Sequence, residues 1–272
     1  AGGDALSRIT AHLFYFGGAA ATMGMYSNMF WGVADRDLVL DLFEEFTGGR
    51  VYSMYNVPGG VRRDIPAGFL GRLSAVLDYL DSRLEDYDNL FFSNYVVVHR
   101  ARGTGAMNRQ QALEWGVTGP NLRATGLAFD LRRDDPYLVY DQLEFDIPVE
   151  EGGDALSRIL VRRRELVESI RILRQVAEHL PHIGGPVRCP IPNPLAWNVP
   201  RGESYARVES SKGELAYYTV SDGGDRPWRV HVRGPSQMHA VQVLENLSVG
   251  SRIEDIAQIM FTLDACPPEV DR

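Results

Sequence analysis

From Leu13 to Ala34 the chain reads LFYFGGAAATMGMYSNMFWGVA, without one charged side chain. A helix of that length reaches across a bilayer, so lipid or protein must cover the segment. It carries Gly17, Gly18, Gly24, Ser27, Asn28 and Gly32, and it lacks the Leu/Ile/Val density of an autonomous span. It therefore reads as a helix buried on all sides in a helical bundle, whose small residues permit close backbone approach, followed by a bend.

The rest of the pattern gives an α+β chain, mainly α. Asp4 is placed to cap a first helix, and Asp154 to cap a long one ending near Leu180. On that long helix Leu156, Ile159, Leu160, Leu166, Val167, Ile170, Leu173, Ala177 and Leu180 form one stripe. Arg162, Arg164, Glu168, Arg171 and Arg174 lie opposite, which predicts a peripheral bundle helix with a basic outer side. Another amphipathic helix follows Pro66. Short strands and Gly-containing loops are expected over 94–148, inserted into a bundle that spans 1–180. Residues 181–200 are rich in Pro and Gly and read as a linker. Over 201–272 alternating runs near Tyr205–Ser210, Leu215–Val220 and Trp228–Val232 are split by Lys212-Gly213 and Asp222-Gly223-Gly224-Asp225. They predict three antiparallel strands, and helices follow near Gln237–Leu247 and Ile253–Leu263. The octapeptide GGDALSRI occurs at Gly2–Ile9 and again at Gly152–Ile159. Both copies suit a helix start, though nothing physical explains their identity.

With 272 residues, 44% of them hydrophobic, the chain can bury one large core or two modest ones. A net charge of -8 argues against a nucleic-acid partner. Cys189 and Cys266 are its two cysteines, so neither a disulfide framework nor a CxxC metal motif is available, and a reducing compartment is expected. No basic-then-apolar leader is apparent. His179 and His182 flank Pro181 with no further ligand nearby. The GxG at Gly103–Gly105 has no strand and helix around it to make a dinucleotide fingerprint.

Five segments in order, RDLVLDLFEEFTGGRV (Arg36–Val51), NVPGGVRRDIP (Asn56–Pro66), GVTGPNLRATGLAFDLRRDDPY (Gly116–Tyr137), VYDQLEFDIPV (Val139–Val149) and Pro200 to the final EVDR, carry a resemblance. They resemble the 49 kDa, or D, subunit of respiratory complex I, which is related to the large subunit of nickel-iron hydrogenases. That resemblance covers the chain from about Ser7 onward. It implies a peripheral subunit on the cytoplasmic side of an energy-transducing membrane, touching the membrane arm only indirectly. It also implies no cofactor held by this chain, quinone as substrate, and an iron-sulfur cluster in a partner subunit. The family's N-terminal β domain, with its quinone-site His and Tyr, lies before the point where this sequence begins. In LDACPPEVDR, Cys266 stands at the first cysteine of the hydrogenase DPCxxC and Glu269 at the second, and the upstream CxxC is absent. A nickel site is therefore not expected.

The same register places Thr22 where many members have an Asp that partners the quinone-site His. Tyr52 stands where many have a His near the terminal cluster, and Val57 where an Arg is common. Neither Thr nor Tyr titrates near pH 7. For Thr22 and Tyr52, lining the cavity and packing in the core both remain open. With Met25, Cys266 and Val270 they are the quinone-cavity candidates. Arg123, Asp130, Arg132, Asp141 and Arg272 are candidates for fixing loops or interfaces, against a solvated loop with weak surface pairs. The loss of titrating groups keeps a non-catalytic assembly scaffold as the alternative function.

Overall fold

The computed structural model describes residues 1–191 and 198–271. The uncharged segment forms a helical hairpin rather than one helix. Helix α1 (Gly2–Thr22) ends at Met23, Gly24 takes a left-handed φ of 81°, and α2 (Tyr26–Thr47) folds back along α1. Glycines set the crossing. A Cβ on Gly32 would stand 2.6 Å from the Leu13 carbonyl oxygen, and one on Gly17 3.1 Å from that of Met29. Burial on all sides holds for much of α1 but fails for α2, whose first turns expose Tyr26, Phe30 (67% accessible) and Val33. Among the described residues no helix is long and apolar enough to cross a membrane.

A buried carboxylate joins the hairpin to the next helix. Asp35 on α2 accepts hydrogen bonds from the Tyr79 hydroxyl (2.9 Å), the Tyr87 hydroxyl (2.8 Å) and Arg83 Nε (3.1 Å), all on α3 (Phe69–Tyr87). A single π-type turn, Asp88–Phe92, then inserts Phe91 and Phe92 against Phe16 of α1. Between α2 and α3 a small hairpin, β1 (Asn56–Val57) and β2 (Gly60–Val61), carries the PGG turn. Part of the Pro/Gly-rich linker lies against it, because Val61 N donates to Val187 O and Cys189 N to Gly59 O. A Cβ on Gly60 would meet the Val187 carbonyl oxygen at 2.3 Å, so only glycine admits that strand. Pro192–Trp197 of the linker fall outside the described residues.

The expected strands of 94–148 do not form. Short helices occupy the region: α4 (Tyr95–Ala101), α5 (Arg109–Glu114), α6 (Pro120–Arg123) and α7 (Leu131–Asp134). Gly and Pro stop each one, and Asn94, Asn108 and Asp130 cap α4, α5 and α7. The long helix α8 (Ala155–His179) is capped as expected, Asp154 accepting from Ser157 N. It is not peripheral, however. Arg158, Arg162 and Glu165 are as buried as Ile159 and Ile172, while Arg164, Arg171 and Arg174 remain at the surface. Asp4 does not cap α1 either. It sits inside the first turn and accepts hydrogen bonds from the Tyr137 and Tyr140 hydroxyls.

Strands β3 (Gly202–Glu209), β4 (Glu214–Ser221) and β5 (Arg229–Arg233) form an antiparallel sheet in sequence order, with Glu209 opposite Glu214. Helix α9 (Pro235–Met238) passes through a π-type turn, His239–Val243, into α10 (Leu244–Ser248). Helix α11 (Ile253–Leu263) and the short α12 (Pro267–Val270) follow. The main core lies among α1, α2, α3 and α8, and a smaller cluster joins Val117 and Leu122 to Val243, Leu247, Ile259 and Leu263. Because the Gly32 contact is backbone against backbone, Gly32→Val must spread α1 from α2. We expect a loss of about 1–3 kcal/mol, read as a lower thermal midpoint. An unchanged midpoint would show slack at the crossing.

Candidate functional site

Helix α8 carries Glu165 into the protein interior, where water cannot solvate it. Its Oε1 accepts from Arg123 Nε at 3.1 Å and from Arg123 Nη2, and its Oε2 from His12 Nε2 at 2.8 Å. Arg8, one turn before His12 on α1, reaches Glu165 Oε2 at 3.5 Å and donates to the backbone oxygens of Glu209 (2.7 Å) and Ser210 (3.0 Å). Arg123 also donates to Glu209 Oε1 at 2.9 Å and lies 3.2 Å from Asp130 Oδ2. Asp130 in turn holds Arg132 in a bidentate pair, with bonds of 2.9 Å and 2.7 Å. Three arginines and three carboxylates thus tie α1, α6, α7, α8 and the end of β3 together in the dry interior.

Burial works against every charge in this set, and the neighbours decide each outcome. Burial would raise Glu165, but Arg123, His12 and Arg8 hold it well below the usual carboxylate range. Asp130 is likewise lowered, Arg123 and Arg132 outweighing its burial. For Glu209 burial outweighs Arg123, and its pKa rises. Burial also pushes His12 down to about 4, so the imidazole is neutral and donates Nε2–H to Glu165.

On the other side of α1 lies a cavity of about 780 Å³. Ser7, Thr10 and Phe14 of α1, Leu40 and Phe43 of α2, and Met260 and Phe261 of α11 form much of its wall, and the tail from Asp264 to Asp271 closes one side. Lys212 reaches the cavity from the β3–β4 turn, which stacks on Thr118 and Gly119. A Cβ on Gly119 would come within 2.3 Å of Gly213 Cα, so two glycines are needed for that approach. Lys212 Nζ pairs with Asp264 Oδ1. Asp264 ends α11 in the left-handed region at φ 57°, a conformation that Asp tolerates better than most residues. Behind it Arg162 lies over the Tyr15 ring at 4.4 Å and donates to Asn121 Oδ1 at 3.0 Å.

Of the cavity candidates, Cys266 and Val270 line this space. Tyr52 is 81% exposed, although its neighbours Val51 and Ser53 line the cavity. Thr22 does not line it and spends its hydroxyl on Ala19 O at 2.7 Å. Met25 packs against the core at the bend and does not line it either. Arg123, Asp130 and Arg132 belong to the buried network rather than to a solvated loop. Asp141 is exposed and outside it, and Arg272 lies outside the described residues. Sequence reasoning missed Arg8, His12, Glu165 and Glu209. The i, i+4 spacing of Arg8 and His12 and the run Arg158, Arg162, Glu165 were the available signals, since each set falls on one helix face. Among the described residues no group of three or more His, Cys, Asp or Glu is placed to hold a metal ion.

The model of the family "Respiratory-chain NADH dehydrogenase, 49 Kd subunit" matches residues 22–194 and 195–272. The chain belongs to this 49 kDa subunit family. It is 46% identical over 269 residues to the D-type subunit of the NADH-quinone oxidoreductase of Thermosipho melanesiensis, covering 98% of this chain and 73% of the relative. It is 38% identical over 278 residues to the D-type subunit of the F(420)H(2) dehydrogenase of Methanosarcina mazei, covering 99% and 72%. Among solved structures it matches a chain of the membrane-bound sulfane sulfur reductase, an archaeal respiratory membrane complex, with a TM-score of 0.94 and 47% identity. That match covers 98% of this chain and 73% of the other.

Two measurements probe the 49 kDa subunit's interior. Glu165→Ala strands Arg8 and Arg123 without their shared carboxylate and should cost about 3–5 kcal/mol of stability; a small change in unfolding free energy would show that water has entered. Acid should also destabilise. His12 at about 4 and His239 at about 3 both sit below the ordinary 6.5, so the unfolded chain takes up those protons first. Their contribution is whole above pH 6.5 and is lost as pH falls from 6.5, toward 4 for His12 and toward 3 for His239. Thermal midpoints across that range should decline, and a flat profile would contradict neutral buried imidazoles.

Proposed function

We infer that this chain is the D-type core subunit of a multi-subunit, complex-I-like oxidoreductase, inactive alone, and that its cavity seats the quinone reduced beside an iron-sulfur subunit. The observation that carries this reading is the cavity itself, formed between α1, α2 and the returning tail, with Cys266 and Val270 on its wall. Phe14, Leu40, Phe43, Met260 and Phe261 supply apolar surface for a ring and its substituents and exclude water, while Lys212 and Asp264 supply a polar end. The chain itself holds no redox group in this reading. The partner's cluster delivers the electrons, and the walls keep the acceptor oriented and shielded. The exposed Tyr26, Phe30 and Val33 of α2 supply apolar surface for a neighbouring subunit of the assembly. The assembly is membrane-bound, with this chain peripheral on the cytoplasmic side.

One observation favours a second acceptor. The solved sulfane sulfur reductase chain is 47% identical, and Cys266 places a thiol on the cavity wall. A thiol can exchange with sulfane sulfur, which a quinone site does not need. The purified assembly separates the two readings when assayed with a short-chain quinone and with polysulfide. In the quinone reading Cys266→Ser leaves turnover unchanged, whereas Cys266→Trp fills the cavity and abolishes it without changing subunit content. Polysulfide turnover lost in Cys266→Ser, with no quinone turnover in the unaltered assembly, would move the function to sulfane sulfur. Assembly without turnover on either acceptor would leave the scaffold reading.

A further inference from the structure

Two arginines line the cavity, Arg36 of α2 and Arg50 of the loop that follows it, and the chain satisfies only one of them. Arg50 collects the carboxylates of α2: its Nη1 donates to Asp41 Oδ1 at 2.5 Å and to Glu44 Oε2 at 2.8 Å, and its Nη2 pairs with Asp37. Arg36 is left without an anion. Among the described residues it makes neither an ion pair nor a hydrogen bond, and its guanidinium carbon lies 5.3 Å from the centre of the Phe14 ring, which offers no oxygen acceptor. Supply is not the reason, since the chain carries 36 acidic residues against 28 Lys and Arg. The half-buried cation is also set in apolar surface. Phe14 and Val51 beside it on the cavity wall are exposed, and so is Val33, one turn before it on α2, which joins this patch to the exposed Tyr26 and Phe30.

We propose that Arg36 anchors a protein–protein contact, taking a carboxylate that a neighbouring subunit presents from within an apolar patch. This rests on the reading of the chain as one subunit of an assembly. Charge complementarity selects the occupant. A purely apolar partner would bury the guanidinium without an anion, which costs more than the contact returns, and a basic one would add to the repulsion from Arg50. A carboxylate among apolar side chains meets both the cation and its surroundings, and the planar guanidinium fork can hold it by two parallel bonds. Arginine set in apolar surface is also the composition at which binding energy concentrates in interfaces. Burial already lowers the Arg36 pKa more than Asp37 raises it, with Arg50 opposing the charge as well, so an added carboxylate relieves a cation that the chain leaves unsupported. An anionic lipid surface fits less well, because Asp37, Asp41 and Glu44 outnumber the single Arg50 they share and leave this stretch of α2 negative beyond Arg36.

Lys212 is the only lysine in the chain and is already paired with Asp264, so an ammonium placed at position 36 can be followed by chemistry specific to amines. Arg36→Lys in the intact assembly, treated with a water-soluble carbodiimide, should form an amide between that ammonium and a carboxylate of a neighbouring subunit. Mass spectrometry of the digest should show it as one cross-linked peptide pair. Subunit content should be kept in Arg36→Lys, which retains the charge. In Arg36→Gln the same neighbour should leave the assembly faster by on the order of tenfold, as expected when one member of a charge pair at an interface is removed. An intact assembly that yields no such peptide pair, or one joined only to Asp37 of this chain, would overturn the proposal. So would an Arg36→Gln assembly that holds its neighbour as long as the unaltered one; a raised KM for polysulfide in that case assigns the guanidinium to an anionic guest in the cavity. A chain that purifies with no neighbouring subunit would overturn both the functional reading and this inference. Quinone turnover in an assembly whose subunit retention ignores Arg36→Gln would overturn the inference alone.

Discussion

Everything else in the molecule is arranged around the need to keep Glu165 ionised in a dry interior. A carboxylate there is tolerable only if cations meet it with good geometry, and Arg123 and Arg8 do so from different elements. Their guanidinium groups then need further acceptors, which Glu209, Asp130 and backbone oxygens of the β3 end supply. Each added partner brings another segment inward. The short helices α6 and α7 and the start of the β3–β4 turn are thereby fixed to the bundle. Such a network contributes specificity of arrangement more surely than net stability, since desolvation offsets much of the attraction.

Helix α1 connects this network to the cavity. Arg8 and His12 project one way into the charge cluster, while Ser7, Thr10, Ala11 and Phe14 face the cavity. With 3.6 residues per turn, the two sets lie on different faces of the same rigid rod. The turn that carries Lys212 is fixed twice, by Arg8 at Ser210 O and by the backbone contact of Gly213 with Gly119. Loss of a charge on one side of α1 is therefore felt by the wall of the cavity on the other.

The cavity is walled largely by apolar side chains, and neither Thr22 nor Tyr52 brings a polar group into it. Thr22 is turned back on its own helix, and Tyr52 stands in solvent. Polar groups that do line the space come from the tail, the β3–β4 turn, Ser7 and Thr10 of α1, Arg36 of α2 and the loop that carries Arg50 and Ser53. The scaffold depends on the contacts of Gly17, Gly32, Gly119 and Gly213 and on the ion network, and none of these involves Thr22 or Tyr52.

Sequence alone determined the α+β class, the three strands near their observed bounds, the two C-terminal helices and the Asp154 cap. Each depends on contacts between residues close together in the chain, so periodicity, turn chemistry and capping record it directly. The five ordered segments also carried the family. Tertiary structure decided the rest. The uncharged segment became a hairpin because Gly17 and Gly32 let two backbones touch, a contact invisible to hydropathy. The Arg162 face of α8 turned inward because Asn121 and Tyr15, distant in sequence, wait there as partners. The strands expected over 94–148 gave way to capped short helices held by buried charges, which local β pattern does not report. Cys266 and Val270 were legible as cavity residues through the tail motif. The stacking of Arg162 on Tyr15 behind Asp264 was not, because its members meet only when three elements pack.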